Sequence, residues 1–281
     1  MPWAVTGAGA LVVLVVLRDI FHTLLHPSGR GQLSLALTRI AWFLARRSGT
    51  VGMRLAGPLA MLAVISTWAV LTILGWAMIY LPHLPTSFSY GPGLDPARRS
   101  VLADALYLSL VVGATLGFGD IVPVSGWLRL ATPLEALMGF ALFTASVTWI
   151  LQIYPALATR RALAIRLRLL AERGAQAVDL PPSVLHGLAA DIVAVRVDLQ
   201  QYNLTYYFHD GHETSLAAAL PAALALGDDA AGATDGERRL AGAALRSALE
   251  DLTVLLDRQY LRTAGTPEEV ITAYGRDHHQ A

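Results

Sequence analysis

Cysteine is absent from the 281-residue chain, so disulfides and thiolate metal sites are excluded and the redox compartment stays open. Lysine is absent as well: all 21 basic residues are Arg, balanced by 21 acids to a formal net charge of zero. Charge of either sign is scarce, at 15% of residues against 54% apolar, and mean hydropathy is positive. A chain this apolar is not an ordinary water-soluble domain, and a lipid bilayer is its expected surrounding. No apolar helix carries a ladder of Arg, which argues against a built-in voltage sensor. After residue 156 there is neither an alternating strand pattern nor a glycine fingerprint following a strand, which removes a nucleotide-binding domain of that kind. With no nucleophile–base pair, phosphate loop or metal triad in view, the chain does not read as an enzyme. No cofactor and no nucleic-acid partner are expected.

What is present is a set of long uncharged runs. Residues 2–17 carry no charge, and a helix can continue through Arg18 and Asp19 to His26, about 24 residues, enough to span a bilayer. This run lacks a basic leader and a small-residue cleavage site, so it is read as a retained amino-terminal span over 1–29. Asp19, His22 and His26 fall on one helical face. Two readings of that stripe are open: a proton-sensitive or gating contact, or a polar end that snorkels to headgroups and packs on the next helix. Residues 30–55 carry Arg30, Arg39, Arg46, Arg47 and Arg54 and no acid, interleaved with apolar residues. That pattern reads as an amphipathic linker at the cytoplasmic surface, which puts the amino terminus outside. Ala56–Leu81 is 26 residues without a charge, and Gly126–Leu151 is a third span interrupted only by Arg129 and Glu135. Between them lies Val101–Ala114, about 14 apolar residues, too short to cross and suited to a re-entrant helix.

The re-entrant segment leads into Thr115, Leu116, Gly117, Phe118, Gly119 and Asp120, followed by Ile121-Val122-Pro123. Glycines at 117 and 119 can take left-handed backbone angles that cost other residues about 1–2 kcal/mol, and such alternation turns successive carbonyls to one side. Together with its flanking spans, this stretch resembles the pore module of bacterial potassium channels, over about Ala56 to Tyr154. The resemblance implies an all-α membrane protein: three transmembrane helices, a re-entrant pore helix and filter, and a helical cytoplasmic region. It implies a homotetramer passing K+ through Thr115–Gly119, with Leu116 and Phe118 bracing the filter from behind and Asp120 and Glu135 supporting it. For Glu135 the support is either a helix-dipole position or a hydrogen bond. Gly139, 24 residues after Thr115, falls at the family's gating hinge, a small residue for close helix contact being the alternative. Two departures stand out. Val111 occupies the place where some members carry an acid that pairs with the residue equivalent to Asp120, and Phe118 replaces a commoner tyrosine. A weakly selective cation channel and a membrane-anchored scaffold with a vestigial pore remain as alternatives.

The module is taken as 56–155 and the cytoplasmic domain as 156–281, a multi-pass inner or plasma membrane arrangement. In that domain Leu185, Leu188, Ile192, Val195 and Leu199 repeat at helical spacing, as do Leu245, Leu249, Leu252 and Leu256. A compact helical bundle is expected, with Gly227–Gly236 as a linker, a helix over Glu213–Leu226 and a tail at His278-His279. His209-Asp210-Gly211-His212-Glu213 reads either as a metal ligand cluster or as a polar turn in which Asp210 or a neighbour caps the next helix. Any ligand or partner of this domain is unknown.

Overall fold

The computed structural model describes residues 2–24 and 31–278. It is nearly all helix and divides into two compact units, Met1–Ile40 with Leu59–Leu151, and Ala41–Pro58 with Gln152–Ala281. Three helices are long and apolar enough to cross a membrane. They correspond to α1 (Pro2–Leu24), α3 (Gly49–Tyr80) with the turn that follows it, and α5 (Gly126–Glu172), as the uncharged runs require. Between α1 and α3 comes α2 (Gln32–Arg47), the amphipathic segment. Two ends differ from expectation. Helix α3 starts before Ala56: Gly49 turns the chain at φ 71° and the helix runs on through Gly52, thereby taking in Arg54. Helix α5 continues past Leu151 because the Ala-, Leu- and Arg-rich residues that follow are good helix formers.

In the first unit α4 (Val101–Gly113) is the short apolar helix. At ~1.5 Å per residue it covers about two thirds of a 30 Å hydrocarbon core, so it enters and stops. Ser100 caps it, accepting from the Ala103 N–H. Two strands that periodicity did not announce flank it: β1 (Phe88–Tyr90) and β2 (Ile121–Pro123), antiparallel with Tyr90 opposite Ile121 and Phe88 opposite Pro123. Their inward side chains, Phe88 and Ile121, join Trp76, Tyr80, Leu108 and Leu128 in one buried cluster. Helices α1 and α3 approach closely at Gly9 and Gly75, where a Cβ on Gly9 would meet the Gly75 carbonyl at 2.5 Å.

The second unit is a helical bundle of α6 (Pro182–Gln201), α7 (Leu216–Ala231), α8 (Gly236–Leu256) and α9 (Pro267–Asp277), joined by residues 152–172 of α5. The helical-period leucines of α6 and α8 are its core. The linker expected over Gly227–Gly236 shrinks to four residues, because α7 runs through Gly227. That glycine serves packing: a Cβ there would meet the Arg246 side chain at 3.1 Å, and one at Gly242 would meet Ala230. His278 is likewise no tail. It is buried, with its ring 5.0 Å from those of Trp42 and Tyr206 and 4.7 Å from Tyr274; His279 lies outside the described residues. Beside it Asp277 accepts from Trp42 Nε1, Tyr206 Oη and Arg46. Asp210 does not cap α7, which begins at Leu216. Its carboxylate receives Arg160 at 2.5 Å and Arg161 at 2.7 Å, while Arg160 also donates to the carbonyls of Thr205 and Phe208.

Candidate ion pathway

Helix α4 aims the chain into Thr115–Gly119, and its last carbonyls hold the start of that segment. Leu116 N–H donates to the Val111 carbonyl at 2.9 Å and Thr115 N–H to that of Val112 at 2.8 Å. Beyond this the backbone alternates: Thr115, Gly117 and Gly119 have φ of 59°, 57° and 76°, all left-handed. Every second residue is thus inverted, and two of the three are glycines, for which the inversion carries no Cβ penalty. Leu116 and Phe118, expected as apolar braces, are 59% and 64% exposed. Among the described residues, more than half of each side chain is left uncovered.

At the exit, Asp120 is fully engaged. Tyr107 Oη donates to its Oδ2 at 2.6 Å, the Ile121 N–H to Oδ1 at 3.1 Å, and the Gly91 N–H to its carbonyl at 2.7 Å. Tyr107 stands one helical turn before Val111 on α4, so the partner missing at 111 is supplied from 107. The i, i+4 relation to Val111 was the only signal that could have found it. The start of α4 is fixed in the same way. Asp104, fully buried, accepts from Arg99 Nε at 2.9 Å and Tyr90 Oη at 3.2 Å. Burial, followed by the Asp104 charge, pushes the Tyr90 phenol up to about 12, so it stays a donor at all ordinary pH. Tyr90 pairs with Ile121 in the sheet, tying the exit strand to the helix that enters the segment.

Glu135 is 0% exposed and sits in the tenth position of α5, too far from Gly126 for the helix dipole, which fades within the first turn. Hydrogen bonds are what it makes. Tyr80 Oη of α3 donates to Oε2 at 2.5 Å, and Ser109 Oγ of α4 lies 2.5 Å from Oε1. Three helices therefore meet at one side chain. Just beyond it, α5 touches the end of α4: a Cβ on Gly139 would fall on the Gly113 carbonyl.

The amino-terminal stripe is divided. Asp19 is buried and accepts from the Leu33 and Ser34 N–H groups, Ser34 Oγ and Trp68 Nε1, at 2.9, 3.3, 2.5 and 2.9 Å. It caps α2 from another helix and ties both to α3. His22 is half-buried on the same face of α1, and His26 lies outside the described residues. Among the described residues no cluster of His, Cys, Asp or Glu could hold a metal ion, and the His209–Glu213 stretch is organised by the Asp210 ion pairs instead.

Comparison with known proteins bears on the same stretch of the chain. A family model described as an ion channel, Ion_trans_2, matches residues 63–154. The uncharacterized membrane protein YdjJ of Bacillus subtilis (strain 168) is 32% identical over 161 residues, covering 56% of this chain and 46% of that protein. Protein LctB of Bacillus caldotenax and protein LctB of Geobacillus stearothermophilus are each 34% identical over 91 residues, 30% of this chain and 66% of theirs. The chain thus spans about half the length of the first relative and just under two thirds of the others. No solved structure matches it. Residues 63–154 thus match an ion-channel domain, within a chain that has three helices long and apolar enough to cross a membrane.

Proposed function

We propose that this chain is one subunit of a homotetrameric potassium-selective channel, with Thr115–Gly119 as its filter. The carrying observation is the left-handed angle at every second residue from 115 to 119, the alternation that turns successive carbonyls toward one side. In potassium channels four such loops replace the hydration shell of the ion. The tetramer is supported by what the single chain leaves open. Irregular backbone at membrane depth needs protein cover or a water-filled path, and here Leu116 and Phe118 are left more than half uncovered among the described residues. Copies around an axis supply both. Asp120 and Glu135 hold the filter, and α5 near Gly139 is the proposed gate. Arg39, Arg46 and Arg47 on α2 with Arg160, Arg161 and Arg166 on α5 favour a cytoplasmic carboxyl terminus and an outside amino terminus. The second unit would then be cytoplasmic and set assembly or gating. Ion conduction, not catalysis, is what the matched domain favours.

A weakly selective cation channel is the second reading, favoured by one residue: Phe118 has no hydroxyl with which to brace the filter. The two separate in proteoliposomes containing the full chain, by comparing K+ efflux with Na+ efflux. Selective K+ efflux, abolished by Gly117→Ala, is the expected result. Equal efflux of both ions would replace the first reading by the second, and no efflux from verified tetramers would favour a scaffold role.

A further inference from the structure

The carboxyl of Glu135 is sealed from solvent and faces only neutral groups. From α3 it meets Tyr80 and from α4 Ser109. The other titratable side chains near this part of α4 are committed elsewhere, Asp104 to Arg99 and Tyr90, and Tyr107 to Asp120. On α5 itself the nearest cation, Arg129, is exposed. No ion pair among the described residues includes Glu135. An isolated carboxylate in such surroundings is costly, and a buried acid relieves that cost by holding its proton.

Counting hydrogens points the same way. Ser109 Oγ lies 2.5 Å from Glu135 Oε1 and 2.9 Å from the Ile73 carbonyl of α3. A serine hydroxyl carries one proton. With an ionised Glu135, that proton would face two acceptors. With a protonated one, every hydrogen has one acceptor: Tyr80 O–H to Oε2, Oε1–H to Ser109 Oγ, and Ser109 O–H to the Ile73 carbonyl.

We propose that Glu135 is a neutral carboxylic acid, and that the chain Tyr80, Glu135, Ser109, Ile73 is an uncharged strut fixing α4 against α3 and α5. Glu135 is then a positioning residue for the segment that α4 delivers, and contributes no negative charge to attract cations. The strut deepens the support role given to Glu135 above and rests on the channel reading only for its transport readout.

Infrared difference spectroscopy of the full chain in lipid bilayers at neutral pH reads the proton directly. Wild type minus Glu135→Gln is expected to contain a protonated-carboxyl C=O band that moves in D2O and shifts in Ser109→Ala. Carboxylate bands in that difference spectrum, in place of the protonated-carboxyl band, would overturn the proposal. If Glu135→Gln fails to fold, the Ser109→Ala difference alone decides: a shifted carboxylic-acid band supports the strut and a shifted carboxylate band refutes it. Glutamine can accept from Tyr80 and donate to Ser109, so Glu135→Gln should keep K+ efflux near wild type. Glu135→Asp, too short to reach, should lose about ten-fold, the consequence of an unmade buried hydrogen bond. Equal loss in both variants would mean that the charge is needed. Absence of transport in every variant, wild type included, would count against the channel reading while the infrared band still decides the protonation.

Discussion

Of the carboxylates that the two units enclose, Asp210 and Glu135 are handled in opposite ways. Asp210 in the second unit is met by two guanidinium groups, one of them buried with it. Glu135 in the first unit meets hydroxyls alone. The difference shows how each fold satisfies a polar group away from water. In the helical bundle the charge is kept and cancelled, and the ion pair joins residues 160–161 of α5 to the 205–210 segment. Glu135 has no ion-pair partner among the described residues, and hydrogen-bond partners from two neighbouring helices do the fixing.

The contrast breaks most visibly at Asp210. Asp210→Ala leaves Arg160 buried without its counter-ion, and about 3–5 kcal/mol of stability should be lost. Arg161→Ala removes a half-exposed partner and should cost about 0–1 kcal/mol. Denaturant unfolding of the detergent-solubilised chain, followed by helicity, measures both; similar losses would deny Arg160 its special position. Next in size is Tyr107→Phe, which removes the hydrogen bond to the Asp120 side chain and should destabilise the exit of the segment by about 1–3 kcal/mol. Sustained recordings should then show conduction failing sooner than in wild type, with initial current intact.

Gly139→Ala sharpens a different point. Because its Cβ would strike the Gly113 carbonyl, overpacking of about 1–3 kcal/mol is expected whether or not α5 bends there. Adding Ala141→Gly separates the roles: it restores a flexible point but not the clearance. Recovered opening would favour the hinge, and persistent loss the contact. The smallest effect concerns Asp257, a surface-side carboxylate. The Thr263 hydroxyl, helped by the Thr263 and Ala264 N–H groups, holds it below the usual carboxylate range. A folded value below the unfolded one adds stability that is present above the ordinary value of ~3.9 and fades as pH falls through the lowered one. The stability gap between wild type and Asp257→Asn should therefore be constant from pH 7 to 5 and close below about pH 4. A gap that persists in acid would remove the ionised-cap explanation.

Most of the architecture could be read from residue order because its signals are local. Uncharged runs marked the spans, the shortness of Val101–Ala114 marked a helix that does not cross, and leucine spacing marked α6 and α8. The Gly-x-Gly of residues 117–119 pointed to the inverted backbone. What escaped depends on partners distant in sequence or on backbone groups without a signature. Tyr80 and Ser109 reach Glu135 from two other helices, and Tyr107 lay unmarked inside the short helix of residues 101–114. Three-residue strands are too short to show alternation. Asp19 kept two readings open because half of its partners are N–H groups of α2, invisible in a list of side chains. Gly227 looked like a linker although its lack of a side chain serves helix packing.

The central claim is that Thr115–Gly119, repeated around an axis, selects K+. Its most direct test is the reversal potential of the full chain in a planar bilayer with equal KCl and NaCl on opposite sides. A potential displaced far toward the value at which K+ is at equilibrium is predicted, and one near zero would contradict the claim.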